Sequence, residues 1–304
     1  MHSTNDMHQD ELIIGASVVR QLIATQFPQW AELPIQMVAS TGTDNMLFRL
    51  GDEMVVRFPR VEWAVPQVAK EHRWLPVLAP HLTTPISMPL ALGDPAFGYP
   101  WQWSVQRWIE GTNAYVTDVH DDEGVATALG QFVNELHAID ATHGPHTGAH
   151  NFNRGVPLVQ RDDATQAALD ASIGLVDVDA LRRIWQDALA LPVWSCAGVW
   201  VHGDLAPGNI LVHGGQLAAV IDFGGLGVGD PAVDMLIAWN YLSPRARRRF
   251  RQTVKVDEAT WCRGRAWALS VAVIQLPYYY HTNLTLRDNA LHTIHAVLND
   301  FYGL

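Results

Sequence analysis

Apolar positions change their spacing several times along the chain, and each change predicts a different element. Leu12, Ile13, Val18, Val19, Leu22, Ile23 and Phe27 recur near the 3.6-residue period of a helix, which Pro28 then ends. From Ile35 the stripe gives way to short apolar runs at 35–39, 46–50 and 54–58, separated by 40–45 and by Gly51-Asp52. Runs of that length joined by turn formers predict three antiparallel strands, with Gly51-Asp52 as a two-residue turn. A helix follows from about Pro66, and a polar, turn-rich stretch lies at 111–122. Helical periodicity returns at 123–139 and 177–191, around a loop at 141–165 rich in His, Gly and Asn. Beyond Asp234 the pattern predicts a buried helix over 235–242 and three more at 245–254, 257–280 and 286–302.

The chain thus reads as α+β, with a β-rich part at 1–110 and a mainly helical part at 111–304. Its 304 residues are enough for two lobes with separate cores, and 48% hydrophobic with 17% charged residues is ordinary globular composition. Cys196 and Cys262 form no spacing motif, so neither a disulfide framework nor a zinc site is expected. His143, His146 and His150 match no regular metal-ligand spacing. No basic-then-apolar leader opens the sequence and no run approaches the roughly 18 apolar residues of a membrane span, so a cytoplasmic protein is expected. A net charge of −11 argues against a nucleic-acid partner. It suits steering of a polycationic substrate, and equally suits plain solubility. The cluster Arg245, Arg247, Arg248, Arg249 and Arg251 reads as a solvated helix face.

Candidate chemistry concentrates in 200–234, WVHGDLAPGNILVHGGQLAAVIDFGGLGVGDPAVD. Apolar runs at 199–201, 210–212 and 218–221 are bounded by Gly-rich turns, the signature of a small hairpin on a core. Asp204, Asn209 and Asp222 are thereby delivered from turns and strand ends toward one place. A loop carboxylate can orient a hydroxyl and accept its proton, while a carboxamide and a second carboxylate are the hard oxygen donors that Mg²⁺ takes beside phosphates. Any one triplet is also a common acidic turn. HGDxxxxN, then IDFG, then GDPAxD in this order is the phosphoryl-transfer arrangement.

His202-Gly203-Asp204-Leu205-Ala206-Pro207-Gly208-Asn209, Ile221-Asp222-Phe223-Gly224 and Gly229-Asp230-Pro231-Ala232-Val233-Asp234 together resemble the aminoglycoside phosphotransferase family of small-molecule kinases. The resemblance implies a two-lobed protein-kinase-like fold, with a small antiparallel β-sheet N-lobe, a larger helical C-lobe and nucleotide in the cleft between them. It implies Asp204 as catalytic base, Asn209 and Asp222 as Mg²⁺ ligands, and Asp230 and Asp234 as loop and helix-cap carboxylates. Arg57 stands where the family has a phosphate-gripping lysine; it keeps the charge and adds a fork that binds phosphate oxygens bidentately. Glu71 is its expected ion-pair partner, and the adjacent Lys70 is expected to point elsewhere, exposed. Thr41 and Thr43 lie in the loop that falls at the phosphate-covering position, although it lacks G-x-G-x-x-G. Gln106, Trp108 and Ile109 bracket the hinge that would hold the purine, and 278–283, with Tyr278, Tyr279 and Tyr280, is a candidate acceptor wall.

The implied activity is ATP- or GTP-dependent transfer of the γ-phosphate to a hydroxyl of a small molecule, an antibiotic such as an aminoglycoside, with Mg²⁺ and without nucleic acid or membrane. Alternatives are a macrolide or metabolite kinase acting on an amino alcohol or sugar, and a catalytically silent kinase-like binding module. The tail holds only scattered carboxylates, Asp257, Glu258, Asp288 and Asp300, where a polyamine sugar wants several together.

Overall fold

The computed structural model describes residues 11–38, 44–115 and 122–303. Helix α1 (Ala16–Gln26) buries Val19, Leu22 and Ile23, the stripe its periodicity predicts. Strands β1 (Ile35–Val38), β2 (Asn45–Leu50) and β3 (Met54–Pro59) follow. Leu50 pairs with Met54, so the β2–β3 turn has three residues, 51–53, and not the expected two. Gly51 takes φ +58° there, which a residue without a Cβ adopts freely. Helix α2 (Val65–Leu78) starts at Val65-Pro66, where a proline's missing N–H costs nothing. Strands β4 (Pro89–Gly93) and β5 (Trp103–Arg107) complete a sheet of order β1-β2-β3-β5-β4, antiparallel throughout. Its core is aromatic: Phe58 stacks on Trp103 at 4.9 Å and meets Tyr99 edge-on at 5.0 Å.

The second part carries strand β6 (Thr112–Asn113) and helices α3 (Asp122–Ala138), α4 (Asp162–Ala171) and α5 (Val178–Leu189). Helix α4 corrects the reading of 141–165 as loop to its end: a polar stretch with two N-terminal aspartates turns helical once Thr165 and Leu169 find a core. Strands β7 (Val199–Val201), β8 (Ile210–His213), β9 (Gln216–Val220) and β10 (Gly227–Gly229) form two small sheets, β10-β7 and β6-β8-β9. The predicted hairpin is β8–β9, turning at Gly214-Gly215 with φ +58° and +79°. The buried segment after Asp230 is a 3₁₀ turn over Pro231–Leu236 running into the single-turn α6 (Ile237–Asn240), shorter than the expected helix. Helices α7 (Pro244–Thr253), α8 (Glu258–Tyr279) and α9 (Leu284–Tyr302) close the fold; Ser243, Asp257 and Asn283 cap their N-termini. Arg247 departs from the solvated-face reading: it is buried, donates from Nε to the Ala238 carbonyl at 2.7 Å and pairs with Asp300.

Buried apolar side chains fall into two clusters, one under the five-stranded sheet and one among the helices. Helix α2 follows the first strands in sequence, yet its Leu75 and Leu78 belong to the helical cluster, and Trp74 lies 5.1 Å from Trp200.

Candidate active site

A cleft of about 770 Å³ is lined from the sheet side by Arg57, Gln106, Trp108 and Ile109, and from the helical side by Asp204, Asn209 and Asp222. The two loops bearing the acidic groups touch backbone to backbone. Gly203 has φ +80°, and a Cβ there would stand 2.4 Å from the Gly225 carbonyl oxygen; one on Gly225 would stand 2.8 Å from that of His202. Glycine at these two places is thus required by contact, and in the first also by conformation. Fully buried Asp234 accepts the N–H groups of His202 at 3.1 Å and Gly203 at 2.8 Å, and lies 3.0 Å from His137 Nε2. The His202 ring accepts the Asp204 N–H at Nδ1, so its Nε2 carries the proton and donates to the Ile221 carbonyl at 3.1 Å. Asp230 caps the 3₁₀ turn through the Ala232 N–H and grips Arg263 at 2.8 and 3.1 Å. Asp230 and Asp234 are therefore scaffold carboxylates.

The Asp204 carboxylate, 41% exposed, opens into the cleft. Asn209 Nδ2 donates to its backbone oxygen at 2.9 Å and to Oδ2 at 3.3 Å. With that nitrogen committed, Asn209 Oδ1 is the atom left to face a cation. The Asn209 carbonyl accepts the Ile221 N–H at 2.9 Å, which sets Asn209 beside Asp222. Asp222 itself sits at φ +60°, ψ +79°, a left-handed conformation that aspartate tolerates better than most side chains, and its Oδ1 accepts the Gly224 N–H at 3.3 Å.

Arg57 Nη1 donates to Glu71 at 2.7 Å and Nη2 reaches Asp222 at 3.5 Å. Burial opposes the guanidinium charge, but Glu71 and Asp222 outweigh it and the Arg57 pKa rises. Glu71 also accepts the Phe223 N–H at 3.0 Å, so one carboxylate ties β3, α2 and the Asp222 loop together. Gln106, bracketed for the purine, is buried: its Nε2 donates to Glu71 at 3.0 Å and its Oε1 accepts from Arg57 at 3.3 Å. Lys70 is not exposed as expected. Its Nζ crosses to the carbonyls of Gly224 at 2.7 Å, His150 at 3.1 Å and Leu226 at 3.2 Å, and burial pushes its pKa down to about 8.

In the hinge, the Trp108 N–H already donates to Glu53 at 2.7 Å and that of Arg107 to Met88 at 2.9 Å. The Ile109 N–H is the amide of this bracket that meets no acceptor among the described residues. Thr41 and Thr43 lie outside the described residues. Of the tyrosine run, Tyr279 lines the cleft, Tyr278 is exposed and Tyr280 packs on the helical core beside Arg287. Sequence reading passed over Tyr115, Asn240 and Arg154, all of which also line the cleft. Arg154 Nη2 lies 3.3 Å from Asp204 Oδ1.

Asn209 and Asp222 suit Mg²⁺ as a donor set. Among the described residues no group of three or more His, Cys, Asp or Glu side chains could hold a metal alone. Mg²⁺ bound through one or two carboxylates plus substrate phosphates and water needs no such cage. A carboxylate 36% exposed beside a free carboxamide oxygen matches that mode.

The model of the phosphotransferase enzyme family matches residues 37–267. An aminoglycoside 3'-phosphotransferase of Salmonella typhimurium is 30% identical over 168 residues, 51% of this chain and 59% of that protein. One of Escherichia coli is 27% identical over 170 residues, again 51% and 59%. The matches to these curated relatives thus cover about three fifths of their length. Among solved structures, the GDP complex of aminoglycoside 2'-phosphotransferase-IIIa aligns over 95% of this chain and 100% of its own, at TM-score 0.71 and 18% identity. Macrolide 2'-phosphotransferase MphH from Brachybacterium faecium aligns over 91% and 96%, at TM-score 0.63 and 21% identity. Likeness at those identities shows the two-lobed fold.

Proposed function

The chain belongs to the phosphotransferase enzyme family, and on that premise we propose that it transfers the terminal phosphoryl group of ATP or GTP to a hydroxyl of a small molecule. One observation carries the proposal: Asp204, Asn209 and Asp222 open onto the same cleft as the Arg57 guanidinium. Mg²⁺, when bound, would supply positive charge against the phosphates. Asn209 Oδ1 and Asp222 would hold it; Arg57, braced by Glu71 and Gln106, would grip phosphate oxygens. Asp204 would orient the acceptor hydroxyl and take its proton, and the Ile109 N–H would donate to the base. With base and phosphate-gripping groups on one cleft, the acceleration would come from positioning and charge rather than a covalent intermediate.

A specific observation bears on the acceptor. Among the described residues, Asp44, Asp204 and Asp222 are the carboxylates lining the cleft, and none comes from α6, α8 or α9. Those helices present Ala268, Val271, Ala272, Gln275, Tyr279 and Asn289. Such a wall favours a weakly charged, partly apolar hydroxylated acceptor, of which a macrolide is one type, over a polyamine such as an aminoglycoside. The test is release of nucleoside diphosphate from ATP and from GTP, with Mg²⁺, across a panel of aminoglycosides, macrolides, sugars and amino alcohols. Acceptor-dependent release that disappears in D204A is the expected result. Nucleotide binding without release across the whole panel would favour the silent binding module.

A further inference from the structure

Three cationic side chains line the cleft among the described residues: Arg57, Arg107 and Arg154. Arg57 is engaged by Glu71 and Gln106, and Arg107 extends from β5 at the hinge. Only Arg154 touches the carboxylate that would activate the acceptor. Phosphoryl transfer brings two anions, the Asp204 carboxylate and the terminal phosphate, against the same acceptor oxygen. A fixed cation at that point lowers their mutual repulsion and meets charge as it develops.

The loop carrying Arg154 is built to hold it still. Asn151, fully buried, accepts the Gly148 N–H at 2.9 Å and donates to the Arg154 carbonyl at 2.9 Å and to Gly225 at 3.2 Å, beside the Asp222 loop. Phe152 and Asn153 take φ +58° and +54° in succession, and Gly155 takes +84°. Consecutive left-handed non-glycine residues persist only where their surroundings over-determine them. The Gly155 carbonyl is in turn held by the Asp230 N–H at 2.8 Å. The side chain is 14% exposed, and Nη1 is closed off from water with no acceptor among the described residues. A guanidinium with one arm on the catalytic carboxylate and another donor unmatched is a fork short of one oxygen ligand.

We propose that Arg154 is a catalytic residue of this site, its guanidinium donating to a phosphoryl oxygen in transit while Nη2 keeps Asp204 aligned. The inference rests on the phosphotransfer reading above. In the step, the acceptor hydroxyl oxygen bonds to the γ-phosphorus as the bond from that phosphorus to the β–γ bridging oxygen breaks. The electron pair leaves with the nucleoside diphosphate, and the hydroxyl proton passes to Asp204. Arg154 changes neither count; it stabilises the negative oxygens of the group between donor and acceptor.

The test uses full-length protein and ADP with Mg²⁺, titrated by calorimetry with and without aluminium fluoride, a mimic of the phosphoryl group in flight. Wild type is expected to bind ADP more tightly with the fluoride. R154Q should lose at least about tenfold of that gain while its affinity for ADP–Mg²⁺ alone stays within about threefold, and R154K should recover part of it. With a productive acceptor, kcat of R154Q should fall about a hundredfold at little change in KM for nucleotide. A full fluoride gain in R154Q overturns the proposal; if R154Q does not fold, R154M takes its place, and a full gain with wild-type kcat there does so. A wild type that binds no nucleotide sinks the phosphotransfer reading itself, a result distinct from loss of the Arg154 effect alone.

Discussion

A general base has to stand in the open while everything around it is fixed, and Asp204, the residue we propose for that role, meets both demands. Its carboxylate faces the cleft, whereas its backbone is held through His202, Gly203 and the buried Asp234. Replacing it with alanine should lower kcat by about a thousandfold or more, the scale of general-base catalysis combined with lost positioning. Nucleotide affinity should stay within about threefold by calorimetry; a mutant with wild-type turnover would move the base elsewhere. That Asp204, Asn209 and Asp222 converge on one cleft could be read from the sequence, because turns and one short hairpin bring them together locally. Arg154 could not: it stands 50 residues before the group it touches, in a loop whose visible feature was histidine. Lys70 was misread for a different reason. Helical phase fixes where a Cβ points, but a four-carbon stem can still carry its ammonium across a gap.

Helix α2 is the element on which the cleft's chemistry depends. Glu71 joins it to Arg57, Gln106 and Phe223, and Lys70 joins it to three carbonyls, two of them in the Asp222 loop. Glu71→Ala would leave Arg57, 9% exposed, with the longer contacts to Gln106 at 3.3 Å and Asp222 at 3.5 Å. Breaking a buried pair from one side costs about 3–5 kcal/mol, so the urea midpoint should fall markedly and nucleotide affinity with it. An unchanged midpoint would mean that Gln106 suffices to hold Arg57. Lys70 gives the same helix a pH signature. Burial pushes its pKa down to about 8 against the pull of Glu71 and Asp222, while an unfolded lysine titrates near 10.4. Between about pH 8 and 10.4 the unfolded chain keeps a proton that the folded one has released, so this group makes stability rise with pH across that window. In chelator-treated, nucleotide-free protein, Lys70→Met should flatten that rise; parallel wild-type and mutant midpoints would show that Lys70 titrates normally. The helix was legible from Pro66, and its Glu71 pairing from the family resemblance. Its allegiance was not, because periodicity tells which face is buried and not against which core.

At the scale of the molecule, two apolar clusters meet across a cleft, and α2 is one of the elements that join them. We propose a division into lobes near residue 110, with α2 shared: it belongs to the first by sequence and to the second through Leu75 and Leu78. The period changes made both lobes legible, but the number of residues in a turn or the fate of Arg247 depends on contacts that composition does not encode. A ligand bridging the lobes stabilises them together, because it binds the closed, folded arrangement and not the unfolded chain. At a hundred times its dissociation constant such a ligand adds about 2.7 kcal/mol. Mg²⁺ with a non-hydrolysable nucleotide should therefore raise the thermal midpoint by several degrees. Excess chelator should remove the metal-dependent part of that rise, and Asp222→Ala should lack that part from the start while retaining any metal-independent shift. A chelator-insensitive rise, equal in wild type and mutant, would mean that nucleotide binds without the metal and that Asp222 serves only to brace Arg57.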